Sequence, residues 1–307
     1  MSNQPVNQHY LPECYLKQFA NLEGQIWKRE KNHQTAKYKT PAQICYVKDG
    51  FTIRQNETLQ VNNITDNYFI EKNSFKRQEN DYVKIIPLLI EYVDTEKTIL
   101  ASDSYFLFLE TIVTIKRRNP EAREQLIHLF KALLDTEAYK SETKEYITTV
   151  SRGLGIELDP EIYFKDRLVK VKNADKLHDI SLSPFIERSQ NDIINTITSQ
   201  FYDLKQIILH PPSNFKFITS DDPGFIANKD RISSLGGLGQ PFKFFFPLSP
   251  NACLLVDSTM VEKEKGNHRF ISHLLIKKEE VDEINQCTKK LCTTFIIGNS
   301  KEIAESI

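Results

Sequence analysis

The sequence predicts an α+β fold, a central helical region with a largely antiparallel sheet formed by N-terminal and C-terminal strands. Three observations predict it. Apolar residues recur at helical spacing through most of the chain from Tyr68 to Tyr202. Short alternating or β-branched runs bounded by Pro and Gly fill Gln206 to Ile297, and a smaller group of such runs, Gln25 to Ile53, precedes the helices. With 307 residues, 40% hydrophobic and 26% charged, the chain can bury a sizeable core. A single large domain over 1–307 is expected, divided into an N-terminal helix and strands (1–67), a helical region (68–205) and a C-terminal sheet region (206–307).

In chain order, Tyr15, Leu16 and Phe19 fall at helical spacing after Pro12, which a first turn tolerates, so a short helix over about Pro12–Ala20 is expected. Gln25–Arg29 reads as a strand after the Glu23-Gly24 turn. Ile44–Val47 and Phe51–Ile53 around Asp49-Gly50 read as a hairpin. Gln55–Asn67 is polar and reads as a loop or weak strand. Val83–Tyr92 is an apolar helix in which Pro87 suggests a kink. Tyr105–Lys116 is apolar nearly all round and therefore central, so Glu110 and the Lys116-Arg117-Arg118 run need partners for whatever charge lies inside. Further helices are expected over Asn119–Leu134, Glu137–Val150 and Glu187–Tyr202, with loops and short helices from Ile156 to Ser183.

Strands follow at Gln206–His210, Phe242–Phe246, Ala252–Val256, Phe270–Ile276 and Thr294–Ile297, with a last helix over about Glu279–Lys290. The chain is read around Phe215–Gly224. There an alternating run, with Phe215 and Phe217 on one face, stops at Thr219, Ser220, Asp221 and Asp222 before Pro223-Gly224 forces a turn. A carboxylate at a strand end can be held rigidly yet open to a cleft, a geometry that catalytic and metal sites use, although Ser and Asp before a turn also serve to satisfy nearby backbone N–H groups.

Composition narrows the partners. Forty basic and 41 acidic residues leave a formal charge of -1, so no generic nucleic-acid-binding field is present. Five scattered cysteines, with no C-x-x-C pair, argue against a disulfide framework or zinc ribbon and favour a reducing, cytoplasmic setting. The first residues lack a basic stretch followed by an apolar one, and no apolar run is long enough to span a bilayer, so neither secretion nor membrane partnership is expected. Gly236-Gly237-Leu238-Gly239 lacks the Lys-Ser/Thr of a P-loop and reads as a hairpin connection; His268 and His273, five apart on a strand, do not read as a ligand pair.

At three separated places the chain resembles a bacterial family catalogued as domain of unknown function 4238. Its His-Tyr-Val-Pro-x-x-Tyr-Leu-x-x-Phe opening is matched by His9-Tyr10-Leu11-Pro12, Tyr15-Leu16 and Phe19, its Thr-Ser-Asp-x-Pro by Thr219–Pro223, and its Pro-Leu-Ser-Pro by Pro247–Pro250. Weaker agreement lies at Glu71, Glu79, Arg118-Asn119-Pro120 and Asn285, and the Trp that the family often carries before the focal strand is missing from Phe201–Leu209. The resemblance implies no activity.

Were His9, Glu79, Arg118, Ser220 and Asp221 to converge, their chemistry would suit a metal-assisted phosphoester hydrolase. Asp221 and Glu79 would hold a hard cation such as Mg²⁺, His9 would move protons, and Tyr10, Arg118 and Ser220 would bind a phosphate-containing ligand. The alternative is a non-catalytic ligand- or partner-binding module in which the same residues line a pocket or lock the N-terminal segment against the late sheet.

Overall fold

The computed structural model describes residues 7–91, 98–125, 127–128, 173–186, 193–229, 231–234, 238, 241–261 and 267–306. Two compact units emerge: Met1–Gly50, Glu71–Asn119 and Arg188–Ile307 form the first, Phe51–Ile70 and Pro120–Glu187 the second. The helical and sheet-forming segments give the expected α+β class with antiparallel-rich sheets.

The first unit is built on a seven-stranded sheet. Its order is β5 (Thr98–Ala101), β12 (His268–Leu275), β6 (Leu204–His210), β11 (Ala252–Val261), β10 (Phe242–Ser249), β8 (Phe225–Asn228) and β9 (Arg231–Ser233), antiparallel except where β12 meets β6. Period-two alternation decides what covers each face. On β10, Phe245 stacks on Phe225 toward a cluster that includes Phe217 and Leu255, with Val281 and Ile284 of the late helix Lys278–Leu291. Phe244 and Phe246 point the other way, toward Phe201 at 4.9 Å and Tyr15 at 5.4 Å respectively. That second face is covered by α1 (Glu13–Leu16), α3 (Lys76–Ile90), α4 (Ser102–Arg118) and the helix Ile193–Tyr202, with Tyr82 stacked on Phe108 between α3 and α4. Among the described residues no helix is long and apolar enough to cross a membrane.

A smaller antiparallel sheet takes the focal stretch. Its order is β3 (Lys37–Lys39), β2 (Ile26–Glu30), β13 (Phe295–Gly298) and β7 (Thr219–Ser220). The ladder is shorter than the alternating run predicts because other groups take the preceding backbone. Phe217 N–H donates to Pro250 O, while the side-chain amide of buried Asn285 accepts from Ile218 N–H at 3.0 Å and donates to Lys216 O at 2.9 Å. One amide thus stands in for a neighbouring strand. Gly224, at φ +76°, makes the turn that follows; a Cβ there would lie 2.7 Å from Phe245 O.

Three local expectations are corrected. Tyr46–Lys48 (β4) pairs with Asn7–His9 (β1) rather than with Phe51–Ile53, whose Ile53 N–H goes instead to Asn67 O; Asp49, at φ 50°, turns the chain without closing a hairpin. The polar stretch after Gln55 contains a helix, α2 (Asn56–Val61), too short for periodicity to register and finished by Asn63 at φ 53°. The helical region is interrupted by β5, a four-residue edge strand on β12. The expected helix at Asn119–Leu134 is helical over its described residues, 120–125 and 127–128; the expected helix at Glu137–Val150 and most of the glycine connection after Ser233 lie outside the described residues.

In the second unit the helix Ala174–Ile186 organises a polar network. The Asp179 carboxylate accepts from Arg54 N–H and Gln55 N–H at 2.9 and 2.8 Å, Arg123 donates to Ser181 Oγ, and Phe51 packs edge-on against Phe185.

Within the first unit the apolar helix α4 carries Lys116 into the interior. Its Nζ lies 2.5 Å from Asp222 Oδ1 and donates to Gly224 O at 2.9 Å; the Lys116 side chain is fully buried and that of Asp222 8% exposed. Removing one partner strands the other charge without water. Lys116→Met is expected to destabilise the protein by about 3–5 kcal/mol in urea unfolding followed by circular dichroism; a loss under about 1 kcal/mol would contradict this pairing.

Candidate functional site

The expected reaction centre resolves into two neighbourhoods, joined through the end of α4. The first surrounds Asp221. Its carboxylate accepts from Thr293 N–H at 3.0 Å and Thr294 N–H at 2.7 Å, its own N–H donates to Phe295 O, and its carbonyl accepts from the Asn119 side chain at 2.9 Å. Asp221 is buried; burial raises its pKa, against the lowering effect of the hydrogen bonds from Thr294 and Thr293. Ser220 Oγ is tied into the following turn, donating to Asp222 O and accepting from Asp222 N–H. Both residues satisfy backbone at the strand end.

The N-terminal motif does reach this strand. Tyr15 Oη lies 2.6 Å from Thr219 Oγ1 and donates to Pro247 O at 2.9 Å, so one phenol ties together residues from all three family motifs. Tyr10 N–H donates to Cys45 O, and burial pushes the Tyr10 phenol far above its ordinary range, with Cys45 and then Asp221 adding to the rise. His9 lies on β1 with its ring edge-on to Tyr46; its Nε2 is buried with no hydrogen-bond partner.

The second neighbourhood surrounds Arg118, which has no solvent exposure. Its guanidinium lies 3.3 Å from the centroid of the Phe75 ring, and its Nη1 donates to Glu79 Oε1 at 2.9 Å. Nε and Nη2 are buried and unpaired. These two N–H groups form the side-on fork that grips a carboxylate or phosphate through two parallel hydrogen bonds. Glu71, one helical turn before Phe75 in the π-type turn Ile70–Phe75, lies within electrostatic reach of Arg118, and its Oε1 is likewise buried and unpaired. Burial pushes Glu71 up to about 7, with Arg118 pulling down and Glu79 pushing up. Cys14 of α1 lies near the same charges; burial raises its thiol to about 12, which keeps it neutral. The side chain of Glu79, 32% exposed, is where this cluster meets solvent.

The structure therefore brings Glu79 to Arg118, and Tyr10 into electrostatic reach of Asp221, while Ser220 stays in its own turn. Among the described residues no group of three or more His, Cys, Asp or Glu is placed to hold a metal ion. Sequence reasoning noted Glu71 only as weak family agreement and gave Phe75 no role; no spacing signal in the sequence links either to Arg118. It gave no sign of the pair formed by His210 and His273, whose adjacency depends on the β6–β12 register.

The family model described as "Protein of unknown function (DUF4238)" matches residues 7–302. The chain belongs to this family. No curated protein and no solved structure matches the DUF4238 chain.

The His210 and His273 rings stack with centroids 5.1 Å apart, and His210 Nε2 lies 2.8 Å from His273 Nδ1. His210 Nδ1 faces Asn251 O at 3.0 Å and His273 Nε2 faces Thr98 Oγ1 at 2.7 Å. Burial holds His210 down to about 4 and lowers His273 also, so the pair is neutral at pH 7. An unfolded His takes its proton near 6.5 and folded His210 near 4, so its contribution to stability is present above 6.5 and is lost as pH falls toward 4. Thermal scans across that window are expected to show a steeper acid loss of Tm in the wild type than in His210→Gln; parallel curves would refute the assignment.

Proposed function

We propose that this DUF4238 chain is a ligand-binding module in which Arg118 grips an oxyanion of a phosphate-containing ligand. One observation carries the reading: a fully buried guanidinium presents its side-on fork to no acceptor among the described residues. Native structures pair buried donors almost without exception, and an unpaired one calls for water, an ion or a ligand. Phe75 fixes the plane of the guanidinium and Glu79 fixes its far end, so the fork is pre-oriented. Glu79, partly exposed, brings this cluster within reach of solvent.

Metal-assisted phosphoester hydrolysis is the second reading, favoured by the approach of Tyr10 to Asp221. His9 would be its proton carrier. The donor set fits Mg²⁺ poorly, because the Asp221 oxygens hold two backbone amides and Glu79 holds Arg118, so no step is routed through the ion. Divalent-dependent cleavage of a phosphodiester panel, lost in Asp221→Ala with the fold intact, is the result that would establish this reading; no cleavage counts against it.

For the binding reading, dimethyl phosphate is expected to raise the wild-type Tm in a concentration-dependent way, as any native-state ligand does. Arg118→Lys keeps the charge and loses the fork, and its response is expected to fall at least about tenfold in apparent affinity, roughly the worth of one charge-assisted hydrogen bond. Circular dichroism confirms that the variant folds. An equal response in Arg118→Lys, or none in the wild type, would overturn the reading.

A further inference from the structure

The fork of Arg118 is not set in a uniformly positive pocket. Glu79 occupies Nη1 at 2.9 Å, and Glu71, in the same turn as the Phe75 that lies on the guanidinium, is within electrostatic reach of Arg118 with Oε1 buried and unpaired. Arg118 from α4 and Glu79 from α3 are the charged groups acting on Glu71, while Cys14 from α1, near both of them, stays neutral. Lys72, next to Glu71 in the chain, is exposed. One cation thus faces two carboxyl groups, and with both ionised the cluster carries a net negative charge before any ligand arrives. A doubly charged phosphate monoester would meet that charge in a site screened from water, where like charges repel strongly. A singly charged oxyanion meets less repulsion, and a proton on Glu71 removes part of what remains.

Building on the anion seat proposed above, we propose that Glu71 is its specificity-determining residue, making the Arg118 fork select a monoanionic phosphodiester over a dianionic phosphomonoester and taking up a proton when the fork is filled. Geometry supports the assignment through the unpaired Oε1 of Glu71, the unpaired fork and the shared helical turn that carries both Glu71 and Phe75. The proton affinity of Glu71 agrees with it. A carboxyl that titrates near 7 is largely ionised at pH 8 and can accept a proton from solvent as the anion enters. At pH 6 it is already protonated, so uptake is small.

The test is calorimetric titration of the full chain with dimethyl phosphate and with methyl phosphate, in two buffers of different ionisation enthalpy, at pH 6 and pH 8. For the wild type at pH 8, dimethyl phosphate is expected to bind at least about tenfold more tightly than methyl phosphate, with up to about one proton taken up and little uptake at pH 6. Glu71→Gln, which mimics the protonated carboxyl, is expected to bind dimethyl phosphate at pH 8 up to about tenfold more tightly than the wild type, to lose the proton uptake and to lose most of the preference between the esters. Binding with no preference or no uptake in the wild type would overturn this inference and leave the anion seat standing, as would a Gln variant that retains both. Binding of neither ester would overturn both readings. The two-buffer measurement on the wild type requires no variant to fold.

Discussion

Arg118 is held in the interior by a helix too apolar to end at the surface. Helix α4 is buried on nearly every side, so the basic run at its end cannot all reach water. Lys116 finds Asp222 and Gly224 O, Asn119 finds the carbonyl of Asp221, and between them Arg118 turns back toward α3 and Glu79. A buried cation without partners is expensive, so each of these contacts constrains where the acidic strand end and α3 can sit. The first unit is positioned around those demands. The Nε/Nη2 edge of Arg118 is left without a partner.

Asp221 and Arg118 illustrate opposite uses of buried charge. Asp221 stands at the end of a strand, where a carboxylate can be held out to a substrate, yet both of its oxygens face backbone amides of the segment leading into β13. Its chemistry is spent on closing the small sheet, as Ser220 is spent on its own turn. At Arg118 the accounting runs the other way: one nitrogen satisfied by a carboxylate, a ring beneath the plane, and two donors left over. The first arrangement is complete without a ligand; the second is not.

Where one periodicity dominated, the fold was legible in the sequence. Phe242–Phe246 and Ala252–Val256 are short apolar runs joined through Ser-Pro-Asn and pair as antiparallel neighbours; Tyr105–Lys116 is apolar nearly all round and lies in the core. Local signals failed where the partner was distant. Tyr46–Lys48 carries the marks of half a hairpin, but its mate is Asn7–His9, and nothing near Asp49-Gly50 announces that. The focal strand was located correctly and its ladder overestimated, because a side-chain amide from Asn285 replaces a strand there. Of the candidate site, the need of the Lys116–Arg118 run for buried partners was legible, whereas the choice of Glu79 as that partner, the nearness of Glu71 and the His210–His273 contact depend on packing and register that residue spacing does not encode.

The central claim is that the side-on edge of Arg118 is an open seat for an oxyanion, and nitrogen-resolved NMR of arginine Nε–H groups addresses it directly. The Arg118 resonance is assigned by its absence in Arg118→Lys, and Arg269, whose Nε donates to Gln206 Oε1 at 3.1 Å, serves as the internal reference. The account predicts that dimethyl phosphate shifts the Arg118 Nε–H signal and leaves that of Arg269 in place. An Arg118 signal unmoved at high concentrations of the ester would show that the edge accepts no ligand and would contradict the account.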